Sequence, residues 1–273
     1  MSFLALVLVA LILRFTPWRH GFPLDLLGGW CRQTLAWSTQ RPLWQAWLVW
    51  ALPLLVVGLL LWAVAGIAYG LFSLILHCLV LLLCVGRTDP LGAMTSGFEQ
   101  AWLRGDREAA SLVAERDLQV IADSPEELQR AVSGRVVWEV FQGYLVPIFW
   151  YLLLGPLGAM GYRMLRHLQG AIGHPMAALA GVLLHALEWL PARLLALSMA
   201  LVGHFERTLR ELKLLLLDWE VGAEQLTARC AQAASSDAED LAAQRLLLPA
   251  TRSLLRRSLM VWAVVVAFVS LLG

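Results

Sequence analysis

Charge is scarce in this sequence. Asp, Glu, Lys and Arg make up 15% of its 273 residues, where soluble domains carry about 25%. With 59% hydrophobic residues and 13 tryptophans, the apolar surplus exceeds what one globular core of this length can hide, which excludes a soluble enzyme. Lysine is nearly absent, Lys213 standing alone among 21 basic residues, and the net charge is +1. No basic cluster is interleaved with aromatics, so a nucleic-acid partner is excluded. The four cysteines, Cys31, Cys78, Cys84 and Cys230, form no CxxC pair and no His/Cys group at zinc spacing, so neither a disulfide nor a metal site is expected. Also missing are a Ser-His-Asp order, a nucleophile elbow, an HExxH motif, a fixed-period repeat and a long linker.

Long charge-free runs fill the space. Pro42 to Gly86 contains no Asp, Glu, Lys or Arg over 45 residues, enough for two crossings at about 20 residues each. The pattern predicts an all-α, polytopic membrane bundle of about six segments: 1–14, 44–64, 67–86, 143–161, 177–203 and 258–272. Trp44 and Trp62, about 27 Å apart along a helix, read as two interfacial belts. Gly66 and Gly70 are candidate turn residues, and Pro53 a candidate kink. Pro147, Gly155-Pro156 and Gly158 are expected to break the fourth segment, and Pro191 the fifth. Basic residues follow the first apolar stretch (Arg14, Arg19, Arg32, Arg41), which is the reverse of a cleaved signal peptide. Segments 14–43, 87–142 and 204–257 hold four, six and eight of the 21 basic residues. The positive-inside rule therefore puts them in the cytoplasm and both termini outside.

Residues 87–142 and 204–257 read as cytoplasmic helical segments of one integral unit. Ser96-x-x-Glu99, Ser124-Pro-Glu-Glu127 and Ser236-x-x-Glu239 have the form of capping boxes. Asp106 to Ala122, with Leu112, Val113, Val120 and Ile121 among charges, predicts one amphipathic helix. Glu115, Asp117 and Asp123 are read as a solvated face rather than a cation site.

The residues most able to carry chemistry lie in Leu187-Glu188-Trp189-Leu190-Pro191-Ala192-Arg193. An ionisable residue inside a membrane segment defaults to a functional hypothesis. Glu188 and Arg193 are expected either to pair across an opening at Pro191 or to fix helix packing. His185 shares the helix face of Glu188, and one His-x-x-Glu pair is weak as half of a metal site. Tyr162, Arg163 and Arg166 follow the glycine-rich stretch 155–161 and could hold a phosphate or carboxylate. The ligand-binding candidates are thus Tyr162, Arg163, His185, Glu188 and Arg193, with no catalytic residue and no metal ligand assigned. His77 is read as a packing residue.

The pieces Leu103-Arg-Gly-Asp-Arg-Glu-Ala-Ala110, Val146-Pro-Ile-Phe-Trp-Tyr-Leu-Leu-Leu-Gly-Pro-Leu-Gly-Ala-Met-Gly-Tyr-Arg163 and Leu190-Pro-Ala-Arg-Leu194 resemble the CobD/CbiB membrane proteins of cobalamin biosynthesis. That resemblance implies amide-bond formation with nucleotide and magnesium. Here, however, Met164-Leu-Arg-His-Leu-Gln169 and His185-Ala-Leu-Glu188 stand where that family carries its acidic motifs. Over nearly the whole chain the sequence is similar to the AmpE family, a divergent relative. The similarity is carried by Tyr144-Leu-Val-Pro-Ile-Phe-Trp150, Glu188-Trp-Leu-Pro-Ala-Arg193 and Leu201-Val-Gly-His204. This second resemblance implies an inner-membrane regulator of β-lactamase induction and cell-wall recycling, acting alongside the cytoplasmic AmpD amidase. It implies the bilayer, AmpD-pathway proteins or a cell-wall-derived ligand as partners, no cofactor, and no assigned catalytic residue. A CobD-like enzyme with nucleotide and magnesium, and a small-molecule transporter, are the alternatives.

Overall fold

A computed structural model describes residues 2–15, 26–38, 42–64, 70–86, 89–171, 173–235 and 246–272. All regular structure among them is helical. In chain order the α-helices are α1 (Ser2–Phe15), α2 (Leu26–Ser38), α3 (Leu43–Val64), α4 (Leu71–Cys84), α5 (Ser96–Leu103), α6 (Arg107–Val113) and α7 (Pro125–Val140). They continue as α8 (Val146–Gln169), α9 (Ala177–Val202), α10 (Phe205–Leu215), α11 (Ala223–Ala234) and α12 (Leu248–Leu272). The side chains of Arg14 and Leu43 and the expected features at Arg19, Arg41, Gly66, Arg87 and Ser236-x-x-Glu239 lie outside the described residues.

The helices gather into two compact units. The first comprises Met1–Arg87 and Gly143–Glu188, the second Thr88–Gln142 and Trp189–Gly273. Charge divides along the same line: of the 41 charged residues, nine fall in the first and 32 in the second. The second unit therefore approaches the charge density of a soluble domain, about one residue in four, while the first stays far below it.

In the first unit α4 packs on α1, α3 and α8, and α2 packs on α3 and α8. Helix α3 runs unbroken through Pro53 and exposes Leu48, Leu55 and Leu59 along its length, with Trp44 and Trp62 exposed at its two ends. A 22-residue helix whose outer surface is leucine suits a hydrocarbon surrounding rather than water. Helices α3 and α9 and the helical stretch 125–169 are long and apolar enough to cross a membrane, and 3–13 and α4 are shorter apolar helices. Within the third expected segment, 67–86, α4 covers 14 residues and begins just after Gly70. The stretch 14–43, expected to be a polar connection, contains α2, whose Leu27, Cys31 and Thr34 are buried. Arg163 and Arg166 lie on the last turns of α8 rather than in a loop.

One of the two expected breaks is present. Gly155 interrupts α8 with φ 69° and ψ −160°, a conformation open in practice only to glycine. At Pro191 α9 continues without a break. Proline lacks the N–H that would bond the carbonyl four residues back, which here belongs to Leu187. That carbonyl instead accepts a hydrogen bond from the indole Nε1–H of Trp150 at 3.2 Å, so the helix loses no satisfied group. At the end of α4 the Gly86 amide donates to the Gly143 carbonyl at 2.7 Å. A Cβ on Gly86 would sit 3.1 Å from the Gly143 Cα, so the two glycines permit the approach of α4 to the π-helical turn Phe141–Leu145.

In the second unit α7 packs on α11 and α12, and α10 on α11. Ser124 caps α7 as expected, accepting from the Glu127 amide at 3.2 Å with Pro125 opening the helix. The first capping box is displaced: Thr95, not Ser96, precedes α5, and the Glu99 carboxylate is taken by Thr95 and Arg252. The single amphipathic helix over 106–122 is also revised. Helix α6, capped by Asp106 through the Ala109 amide at 2.9 Å, gives way to a π turn at Ala114–Leu118 that ends at left-handed Gln119. The buried stripe is Ala110, Ala114 and Leu118, while Leu112 and Ile121 are exposed. Helix α12 starts ten residues before the expected final segment and exposes Met260, Val264, Val265 and Phe268 toward its end.

Candidate functional site

The polar centre of the charge-poor first unit is Glu188. It is 5% exposed and sits on α9, which Trp150 of α8 holds one residue earlier through the Leu187 carbonyl. A carboxylate in such surroundings is stable only if hydrogen-bonded and paired. Both conditions are met from α8. The Tyr162 hydroxyl, fully buried, donates to Glu188 Oε1 at 2.8 Å, and an Arg166 guanidinium nitrogen lies 3.7 Å from the same oxygen. Tyr162 and Arg166 are four residues apart and so occupy one face of α8. Arg166 also donates to Gln169 Oε1 at 3.0 Å.

Arg166, which was not among the five candidates, thus takes part in the cluster through its contact with Glu188. The i, i+4 spacing from Tyr162 carries that signal in the sequence. Arg163 is half-buried, and its charge is felt at both Tyr162 and Cys84. His185 lies one turn before Glu188 on α9 and is half-buried. Elsewhere in this unit His77 Nδ1 is 2.9 Å from the Tyr151 hydroxyl, their rings edge to face, which fits a packing role. In the turn before α9, His174 is 4% exposed and accepts from the Met176 amide at 3.2 Å. Burial holds its pKa below the ordinary histidine value.

Arg193 belongs to the second unit and has a separate set of partners. Its Nε donates to the Leu216 carbonyl at 2.7 Å, and its Nη2 to the carbonyls of Asp218 at 2.7 Å and Leu215 at 3.3 Å. Nη1 donates to the Trp189 carbonyl at 3.0 Å, and the guanidinium lies 3.9 Å above the Trp189 ring, which packs on Trp219. Four of the five guanidinium N–H groups are therefore committed to backbone carbonyls, three of them at and just beyond the C-terminus of α10. The pairing of Glu188 with Arg193 gives way to two independent arrangements on one helix.

The donor set around Glu188 does not suit magnesium, which prefers several oxygen ligands in octahedral array. A single carboxylate is present, and it is already engaged by a phenol and a guanidinium. Among the described residues no three His, Cys, Asp or Glu side chains gather in the manner of a metal site. In the second unit Asp117 is turned to its neighbour Arg116 at 2.7 and 2.9 Å. That contact holds its carboxyl below the usual range.

Comparison with known proteins gives the family. Residues 1–273 match the family described as regulatory signalling modulator protein AmpE. The chain is 30% identical over 191 residues to a Protein AmpE of Shigella flexneri, an alignment covering 65% of this chain and 66% of that protein. It is also similar to a cobalamin biosynthesis protein CobD of Rhizobium meliloti (strain 1021), 31% identical over 125 residues, covering 44% of this chain and 38% of that one. A CobD of a Sinorhizobium species is 30% identical over 86 residues, covering 32% and 26%. The chain thus spans just under two thirds of the length of the Shigella relative or less in each case. No solved structure matches. Its apolar helices and the match over its full length agree: the chain is a membrane protein and belongs to the AmpE family of regulatory signalling modulators.

Proposed function

We propose that this protein is an inner-membrane sensor with periplasmic termini that modulates β-lactamase induction in step with cell-wall recycling, and that it reads its signal at Glu188. The observation that carries the reading is the Glu188–Tyr162–Arg166 cluster. It is a buried acid in a unit with nine charged residues, engaged by the side chains of Tyr162 and Arg166. Side-chain partners can be exchanged for those of a ligand at little cost to the helices that carry them. A ligand that takes one partner shifts the arrangement only by its differential affinity for the two states. Ligands able to compete here carry a carboxylate for Arg166 or donors for Glu188, as peptide-bearing cell-wall fragments do. AmpD-pathway proteins would receive the output through the charged second unit.

The test is allelic replacement with Glu188→Gln and Tyr162→Phe, measuring β-lactamase induction during β-lactam challenge together with muropeptide pools. Altered induction at unchanged membrane abundance is the expected result. Wild-type induction and normal pools in both variants would refute the proposal. The similarity to CobD supports a second reading, an amide-forming enzyme on another substrate. Absence of nucleotide binding to the purified protein by calorimetry removes it.

A further inference from the structure

Helices α1 and α4 of the charge-poor unit pack on each other, yet their apolar surfaces do not close completely. A groove of about 650 Å³ remains, lined by Leu8 and Ile12 of α1, Leu26 at the start of α2 and a row on α4 that runs from Leu71 to Leu83. Every lining side chain is Leu or Ile except Cys78, and the Cys78 thiol is turned to the Ala5 carbonyl at 3.9 Å. The lining side chains therefore offer a ligand no hydrogen bond. A polar group placed here would lose its water partners and gain none, so the occupant is hydrocarbon along the groove.

The row on α4 sets the length. Leu71 to Leu83 rises about 18 Å at 1.5 Å per residue, so the groove volume corresponds to a section of about 36 Å². A helix with its side chains is about 10–12 Å across, roughly 80–110 Å² in section, and does not enter. An extended methylene chain, whose carbons approach their neighbours to about 4 Å, does. Composition points the same way. Helices associate within a bilayer through small residues that let backbones approach and polar ones that bond across, and the walls carry no Gly, Ala, Ser, Thr or amide. We propose that the groove holds the acyl chain of a bilayer phospholipid as a resident ligand, seated between the leucine row of α4 and Leu8 and Ile12 of α1. A chain in a groove touches protein on several sides and keeps dispersion contacts that one open helix face forfeits, so it outstays the surrounding lipid.

The full-length protein is purified in a maltoside detergent, and bound phospholipid is counted by native mass spectrometry. Phospholipid should survive exchange into lipid-free detergent and, once stripped, return on incubation with dioleoylphosphatidylcholine. Ile75→Trp with Leu79→Trp, at lining positions that are 53% and 51% exposed, fills the groove from its open edge and should lower occupancy about tenfold. The matching pair Leu55→Trp with Leu59→Trp, on the exposed face of α3, should leave it unchanged. The unmutated protein gives an independent reading through Cys78, which is half-buried where Cys31, Cys84 and Cys230 are buried. N-ethylmaleimide should label Cys78 in the stripped protein, and added dioleoylphosphatidylcholine should slow that labelling about tenfold. A parent protein that retains and takes up no phospholipid overturns the proposal, as do equal occupancy in the two tryptophan pairs and labelling indifferent to lipid. A dimer that the α4 pair dissociates, with its two Cys78 thiols joined by a short bis-maleimide, overturns it in favour of a second copy.

Discussion

The hydrogen bond from Trp150 to the Leu187 carbonyl allows α9 to pass Pro191 intact, and its worth can be isolated by a double-mutant cycle. Trp150→Phe keeps the aromatic bulk but removes the only N–H of that side chain, leaving the carbonyl with no donor, since Pro191 has none to give. An unsatisfied buried carbonyl costs about 1–3 kcal/mol, toward the upper end where no water reaches it. Pro191→Ala restores a backbone N–H at the position that normally serves Leu187. In that background Trp150→Phe should cost under about 1 kcal/mol, a coupling of roughly 1–2 kcal/mol. Unfolding of the detergent-solubilised protein by increasing mole fraction of sodium dodecyl sulfate, followed by helical circular dichroism, gives the four stabilities. Equal costs of Trp150→Phe in both backgrounds would show that the indole acts by packing alone, and the account of the unbroken helix would be wrong.

Other substitutions separate backbone from side-chain effects. Gly155→Ala meets no atom within 4 Å, so any loss comes from the positive φ; about 1–3 kcal/mol is expected, against no loss for Gly161→Ala in the same unfolding assay. Tyr162→Phe removes a hydrogen bond to a charged acceptor and should cost about 1.5–3 kcal/mol, with a much smaller effect when Glu188→Gln is already present. Arg193→Ala strips three carbonyls near the end of α10 of their donor and should speed hydrogen exchange over 209–219. Arg193→Lys should rescue only in part, because an ammonium lacks the planar fork. Burial, with Glu211 nearby, pushes the Cys230 thiol up to about 12 from 9.0. The unfolded chain then releases that proton first, so stability is intact below about pH 9 and falls as pH rises toward 12. Maleimide should label Cys230 at pH 8 only after denaturation.

Membrane character and most helix positions were legible because they depend on composition over long windows: α3 and α9 lie within a residue of the expected 44–64 and 177–203. Single-residue readings fared according to where the deciding partner lay. Ser124 and Asp106 cap through amides three residues on, so local sequence suffices. Glu99 was misread because Arg252, 153 residues away, takes its carboxylate. The single helix over 106–122 gives way to a π turn that ends at left-handed Gln119, so Ile121 lies beyond it and is exposed, while Leu112, before the turn, falls on the side opposite the buried Ala110 and Ala114.

The candidate site shows the same division more sharply. Spacing was enough to single out Glu188 and Arg193, because ionisable residues stand out against an apolar background. It could not show that they serve different units. Five residues on a continuous helix turn the two side chains about 140° apart, so pairing required the helix to open, and Pro191 looked like the means. Whether a proline opens a helix depends on the fate of the carbonyl behind it, and that is decided by a tryptophan 37 residues earlier. With Leu187 satisfied, the helix stays closed and Glu188 faces Tyr162 and Arg166. Arg193 is left to close the end of α10. Trp150 thus selects between a charge pair on one helix and two separate polar clusters, and it does so without touching either charge.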